Sequence, residues 1–242
     1  MSDTIKNKIG MVIVAHPDDA EFGCAGSVAN WVLEGWEFYY VICSDGSGGG
    51  SDDARQVGEV ERRKISEIRK KEQREACRLI GVKEVFFLDY PDGRIEPSLD
   101  LRRDIVRMLR HFRPSRVVIQ SPERAWTPFY SVARHHPDHL ATGEAAIRAI
   151  YPASQNPWDF PELLDEGLEP HKVQEIFFMG APTQNFMVDI TGTIELKLAA
   201  LKAHASQLPD FAPIEERIRS WATSTGKKYD VSYAEEFHRT EN

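Results

Sequence analysis

The chain has 242 residues, 41% of them hydrophobic and 28% charged, with a formal net charge of -8. That length suits one large α/β domain with its own core, and the composition excludes a disordered or fibrous chain. The acidic balance excludes the basic surface that a phosphate backbone requires, so no nucleic-acid partner is expected. Cys24, Cys43 and Cys77 are odd in number and lack close pairing, which argues against a disulfide framework or a Cys-based zinc site and fits a reducing cytoplasm. The first ten residues are polar, with no signal-peptide core, and no apolar run is long enough to span a bilayer. A cytoplasmic protein without membrane insertion is therefore expected.

Residues 9–15 (IGMVIVA) form a short apolar run, the pattern of a strand buried on both faces. Residues 27–33 carry apolar side chains at helical spacing, and Gly35 stops that helix. Residues 38–43 (FYYVIC) read as a second strand. The Gly-rich loop over residues 44–53 lacks both nucleotide-binding glycine patterns. It reads as mobile, either beside the site or simply as a flexible connection. Residues 62–80 form a charged amphipathic helix closed by Gly81, 84–88 a third strand, 99–112 a helix and 116–120 a fourth strand. Strands alternating with helices predict an α/β fold, a Rossmann-like three-layer sandwich with a mostly parallel sheet.

Past Gln120 the pattern loosens into a long loop over residues 121–136, then a helix over 138–150 and a surface excursion over 151–171. Strands are expected at 175–179 and 186–190 and a helix at 194–205. The whole chain, 1–242, reads as a single domain, with about 208–242 a C-terminal extension, a helix and a tail packed on the body.

Two segments carry chemistry. His16, Asp18, Asp19 and Glu21 crowd the C-terminal end of the first strand, where open α/β folds place ligands. So many ionisable groups beside an apolar strand call for a counter-charge, and a divalent cation supplies one. His with carboxylate suits zinc, and also iron, manganese or cobalt. His16 and Asp19, three apart, share a face if the chain turns into a helix there, and Asp18 then projects elsewhere, free to act on water. A helix N-cap with solvated acids explains the same residues, and local spacing alone decides neither.

The segment Arg134-His135-His136-Pro137-Asp138-His139 repeats the theme at the opening of a helix. One further His ligand from it would complete a three-ligand site with an open position, the arrangement of catalytic zinc. Trp126, Phe129 and Tyr130, just before it, are equally sugar platforms or simple packing.

AHPDDAE at residues 15–21 and HPDH at 136–139 resemble the PIG-L / LmbE-like deacetylase family. Gly23-Cys24-Ala25-Gly26, Arg69 with Glu72, Ala76 and Leu79-Ile80-Gly81, Asp92-Gly93, Val188-Asp189-Ile190, Lys197 and His204-Ala205-Ser206-Gln207 follow in the family's order, so the likeness spans roughly residues 9–207. It implies a zinc-dependent hydrolase that removes acetyl from an N-acetylglucosamine-like conjugate, a small-molecule substrate. It implies His16, Asp19 and His139 as metal ligands and Asp18 as general base. It further implies a protonated His136 as oxyanion stabiliser with Asp138 orienting it, and Arg69 and Asp92 as contacts to sugar hydroxyls. Ala20, an extra residue before Glu21, and Ala25 in place of a more usual glycine depart from the common pattern. Related enzymes are often trimers or hexamers, so a homo-oligomer is expected. The same site chemistry would serve a deacylase of another N-acyl small molecule. A non-catalytic nucleotide-binding module is the reading from a different class, against which the missing glycine fingerprint counts. Glu21 has no assigned role.

Overall fold

The computed structural model describes residues 7–51, 53–126 and 135–242. Seven strands form one sheet: β1 (Ile9–Val14), β2 (Glu37–Ser44), β3 (Glu84–Tyr90), β4 (Arg116–Gln120), β5 (Glu175–Met179), β6 (Phe186–Asp189) and β7 (Ala234–Glu241). Their order is β3-β2-β1-β4-β5-β7-β6. The first five run parallel, and β7 pairs antiparallel with both β5 and β6. The chain moves outward from β1 through β2 to β3, then returns to place β4 on β1's other side. The gap between the ends of β1 and β4 is thus the point where strand order reverses, the usual ligand crevice of such sheets.

Alternation along β1 explains why its sequence is continuously apolar. Met11, Ile13 and Ala15 enter one core, Val12 and Val14 the other. The first core is closed by α4 (Leu99–Phe112) and α5 (Pro137–Arg148), the second by α2 (Ala25–Leu33), α3 (Glu59–Ile80) and α7 (Ile194–Lys202). Helices on both faces confirm the three-layer, mostly parallel α/β arrangement. The structure adds a five-residue helix, α1 (Asp19–Gly23), too short to announce itself by periodicity, and a four-residue α6 (Glu162–Asp165) in the surface excursion. Among the described residues, no helix is long and apolar enough to cross a membrane.

Gly143 sets how closely α5 approaches β4. A Cβ there would lie 2.4 Å from the Gln120 carbonyl oxygen, so only glycine lets the helix that carries His139 seat against the strand end.

The C-terminal residues differ from expectation. Helix α8 (Ala212–Gly226) does pack on the body, but residues 234–241 are a strand inside the sheet rather than a tail upon it. The stretch AEEFHRTE hides this because it lacks apolar alternation. Its Glu235 is buried and works as an anchor instead. The carboxylate accepts the Gly26 and Ser27 backbone N–H groups at 3.2 and 2.8 Å, capping the first turn of α2, and meets Lys197 Nζ at 2.6 Å. Lys197 also donates to the Phe22 carbonyl at 2.7 Å. One buried pair therefore ties β7, α7 and the start of α2 together directly behind the β1 turn. Lys197→Met should leave Glu235 buried without its cation and lower stability by about 3–5 kcal/mol. A fall in the urea midpoint at unchanged slope measures this, and a midpoint equal to wild type would show the pair to be dispensable.

Candidate metal centre and its surroundings

Three strand ends on one side of the sheet contribute to a single cluster. His16 and Asp19 follow β1, Asp92 follows β3, and His136, Asp138 and His139 follow β4 at the start of α5. The Gly-rich loop after β2 lies against them. Asp18 makes the turn after β1 possible. Its backbone is left-handed, φ 87° and ψ -24°, a conformation costing about 1–2 kcal/mol for an L-residue and tolerated best by Asn and Asp. That turn starts α1 at Asp19 and brings the Asp19 carboxylate back to accept the His16 backbone N–H at 2.7 Å.

Potential ligand atoms of three residues lie close together. His16 Nδ1 lies 3.2 Å from His139 Nε2 and 3.4 Å from an Asp19 carboxylate oxygen, and His139 Nε2 lies 3.0 Å from the other Asp19 oxygen. Ligand atoms about 2.0–2.1 Å from a tetrahedral zinc stand about 3.3 Å apart, close to the 3.2 Å between the two histidine nitrogens. The groups whose ligand atoms cluster closely enough to share an ion are His16 with His136 and His139, and His16 with Asp92 and Asp138, with Asp19 adjoining the first. The second nitrogen of His16 is committed elsewhere. Its Nε2 is 3.1 Å from both Asp92 and Asp138. Carboxylates on the far nitrogen fix the ring's tautomer and leave Nδ1 with its lone pair toward the ion, the common support for a metal-binding histidine.

The electrostatics point the same way. Burial works against charge on His16, yet hydrogen bonds to Asp138, Asp19 and Asp92 outweigh it, and its pKa is pushed up to about 12. The surrounding carboxylates thus favour positive charge at this ring. Asp19 is buried too, but the His139 and His16 rings beside it hold its carboxyl far below the usual range. Asp18 goes the other way. Desolvation first, then the neighbouring Asp19 charge, raise it to about 6 against the pull of Arg69 and His204. A carboxyl near neutrality is suited to taking and returning a proton.

One pairing and one protonation state differ from those implied by the resemblance. Asp138 does not orient His136 with its carboxylate. That carboxylate holds His16 and accepts the Gly93 and Ile95 backbone N–H groups at 2.8 and 3.3 Å. What reaches His136 is the Asp138 backbone N–H, which donates to Nδ1 at 3.2 Å as His136 caps α5. The proton of a neutral His136 ring then resides on Nε2. Its pKa is also lowered, by desolvation and by the neighbouring His16 and His139, so the protonated form expected from sequence is disfavoured.

Arg69 and Asp92 are in the cluster, but the Arg69 Nη atoms and the Asp92 carboxylate are engaged with protein, while Arg69 Nε is buried without a partner. Arg69 is only 5% exposed and donates to the Pro17 and Gly46 carbonyls at 2.9 and 3.0 Å, with Asp18 at 3.4 Å and Asp92 at 3.5 Å. Asp92 accepts the Gly48 N–H at 2.8 Å. The Gly-rich loop, expected to be mobile, is therefore pinned by both residues and by Gln207, whose amide donates to Gly49 O at 2.9 Å. A Cβ on Gly49 would fall 2.6 Å from Gln207 Oε1 and 2.7 Å from Arg69 Nη1, which explains the glycine. Trp126 is exposed, and Phe129 and Tyr130 lie outside the described residues.

Sequence reasoning missed Gln73 and left Glu21 unassigned. Both are wholly buried beneath the Asp18 turn. One signal was available. On α3 the buried positions Ser66, Arg69, Gln73, Ala76, Cys77 and Ile80 form one helical face, and polar residues on such a face need a partner.

The PIG-L family model, described as GlcNAc-PI de-N-acetylase, matches residues 11–150. The chain is 31% identical over 227 residues to diacetylchitobiose deacetylase of Thermococcus kodakarensis, across 93% of this chain and 80% of that one. It is 28% identical over 204 residues to the probable N-acetyl-alpha-D-glucosaminyl L-malate deacetylase 2 of Bacillus cereus, across 81% and 82%. Its structure is similar to that of the N,N'-diacetylchitobiose deacetylase of Pyrococcus horikoshii, with a TM-score of 0.84, 34% identity and coverage of 97% and 84%.

If the donor triangle holds an ion, the protein reconstituted with divalent zinc should retain about one equivalent per chain, and His139→Ala or Asp19→Ala should lose it on dialysis. Elemental analysis checks this. Stoichiometric metal in either variant would remove that residue from the ligand set.

Proposed function

The chain belongs to the PIG-L family, and from that membership and its donor triangle we propose a zinc-dependent N-deacetylase acting on an N-acetylglucosamine-like conjugate. The observation that carries the reading is the close spacing of His16 Nδ1 and His139 Nε2, each with an Asp19 oxygen nearby. Asp18 adjoins Asp19 in the chain, its carboxyl 3.4 Å from Arg69. Two imidazoles and a carboxylate favour zinc, and the same donors accept Fe2+, Mn2+ or Co2+. The sugar comes from the relatives, whose names share an N-acetylated glucosamine unit. A cytoplasmic location and a trimeric or hexameric assembly are parts of the same proposal, resting on the thiols and on the resemblance.

A divalent cation bound here supplies a Lewis acid that acidifies water and polarises a carbonyl. The protein's residues do the rest. Asp18 takes a proton from the attacking water as its oxygen bonds to the acetamide carbon. His136, with Nδ1 occupied by the Asp138 N–H, offers Nε2–H to the oxyanion as a neutral donor, a contribution of about 3–4 kcal/mol for one well-placed group. Asp18 then delivers its proton to the departing nitrogen, the C–N bond breaks, and acetate and a free amine result. Asp92 and Asp138 hold His16 in place throughout. Arg69 keeps the Asp18 turn and the glycine loop at a fixed separation.

The test is acetate release from a panel of N-acetylated amino sugars and their conjugates by zinc-reconstituted protein. At least one member should turn over. Asp18→Ala should keep its metal and lose about 10²–10⁴ in kcat. No acetate above a metal-free control from any sugar would end the deacetylase reading, and near-normal turnover by Asp18→Ala would end the assignment of Asp18.

A further inference from the structure

Glu21, Gln73 and His204 are each wholly buried, come from α1, α3 and the turn after α7, and take no part in the chemistry above. They form a chain, His204 to Glu21 to Gln73, that ends at one peptide group, the bond between Pro17 and Asp18. Its oxygen accepts from Arg69 Nη2 at 2.9 Å. Its N–H donates to Gln73 Oε1 at 3.0 Å. Arg69 and Gln73 lie four apart on α3, so one helix face grips both ends of a single peptide plane. That plane sets the φ of Asp18, the residue held at 87°.

Gln73 performs this only if its amide faces the right way. Its Nε2 donates to Glu21 Oε1 at 2.9 Å. A carboxylate accepts and a backbone N–H donates, so Glu21 forces the amide nitrogen toward itself and the amide oxygen toward Asp18. The other Glu21 oxygen lies 3.3 Å from His204 Nε2, which closes the chain on the far side. The carboxylate is thus hydrogen-bonded on the Gln73 side and faces the His204 ring on the other at ion-pair distance without a hydrogen bond, with no access to solvent.

We propose that Gln73, oriented by Glu21 and backed by His204, is a positioning residue that clamps the Pro17–Asp18 peptide and so aims the Asp18 carboxylate. The role in turnover rests on Asp18 as proton carrier. The clamp itself is a statement about the backbone and is tested separately.

Two variants reverse the polarity of the contact. Gln73→Glu sets a second carboxylate against Glu21 and should lower kcat by about 10–100-fold, the scale expected for a small misplacement of a reacting group. Adding Glu21→Gln restores a donor and an acceptor in the opposite sense, because Gln at 21 donates to Glu at 73, whose second oxygen still accepts the Asp18 N–H. The double variant should return to within about fivefold of wild type, with KM and bound zinc little changed throughout. A role in packing alone would restore the melting temperature without restoring kcat. Gln73→Met, which keeps the length and loses both hydrogen bonds, covers the case in which Gln73→Glu does not fold. It should lower kcat as Gln73→Glu does, and the Asp18 amide should exchange with deuterium at least about tenfold faster than in wild type. That exchange is read by NMR whether or not the protein releases acetate, so failure of the deacetylase reading and failure of the clamp are separate results. Wild-type kcat or wild-type exchange in Gln73→Met, or a double variant that folds and binds zinc but stays as slow as Gln73→Glu, would overturn the proposal.

Discussion

Buried negative charge at the end of the central strand is the constraint around which this protein is arranged. Asp18, Asp19 and Glu21 fall within one four-residue span after β1, and Asp92 and Asp138 face them from other strand ends, all largely withdrawn from water. Carboxylates in such a place repel one another and are poorly solvated. Each faces a basic partner: His16 for both Asp92 and Asp138, His139 for Asp19, Arg69 for Asp18, His204 for Glu21. The cation proposed between His16, Asp19 and His139 would complete the balance at its centre.

The parallel sheet is what makes that balance attainable. Its five parallel strands all end on one side, so loops from distant parts of the chain converge there without crossing the core. The helices then serve as rulers. Helix α3 presents Arg69 and Gln73 to one peptide, and Glu72 on the same helix accepts the Ser206 N–H at 2.7 Å, drawing the turn after α7 inward. That turn brings His204 to Glu21 and Gln207 to the glycine loop. Residues that looked scattered over the last third of the sequence thereby become the back wall of a site whose front is built from the first third.

The same physics explains what was readable beforehand. The strands β1, β2 and β4 were plain because burial on both faces demands unbroken apolar runs, and α3 and α4 because a single buried face imposes a helical period. The two H-P-D segments were plain because clustered ionisable residues at element junctions are hard to explain as surface. Strand β7 was not, since its anchor to the fold is Glu235, a charged residue whose burial depends on Lys197 and on the N–H groups of α2. The glycine loop read as mobile because none of its own residues shows what pins it; Arg69, Asp92 and Gln207 lie far away in sequence.

By itself the sequence determined the α/β class, the placement of the site at the strand ends, and the residue types able to hold a metal and move a proton. These follow from local patterning and from the chemistry of each side chain. Only the tertiary structure decided which atoms face which. It turned the Asp138 carboxylate to His16 rather than His136, kept the His136 proton on Nε2, and enclosed Arg69 within protein contacts. It also brought Glu21 to Gln73. Such choices depend on distances between residues some 50 to 120 positions apart, as between Gln73 and Asp18 or Asp138 and His16. Hydrogen bonds fall off too steeply with distance and angle for any of these pairings to be read from one segment alone.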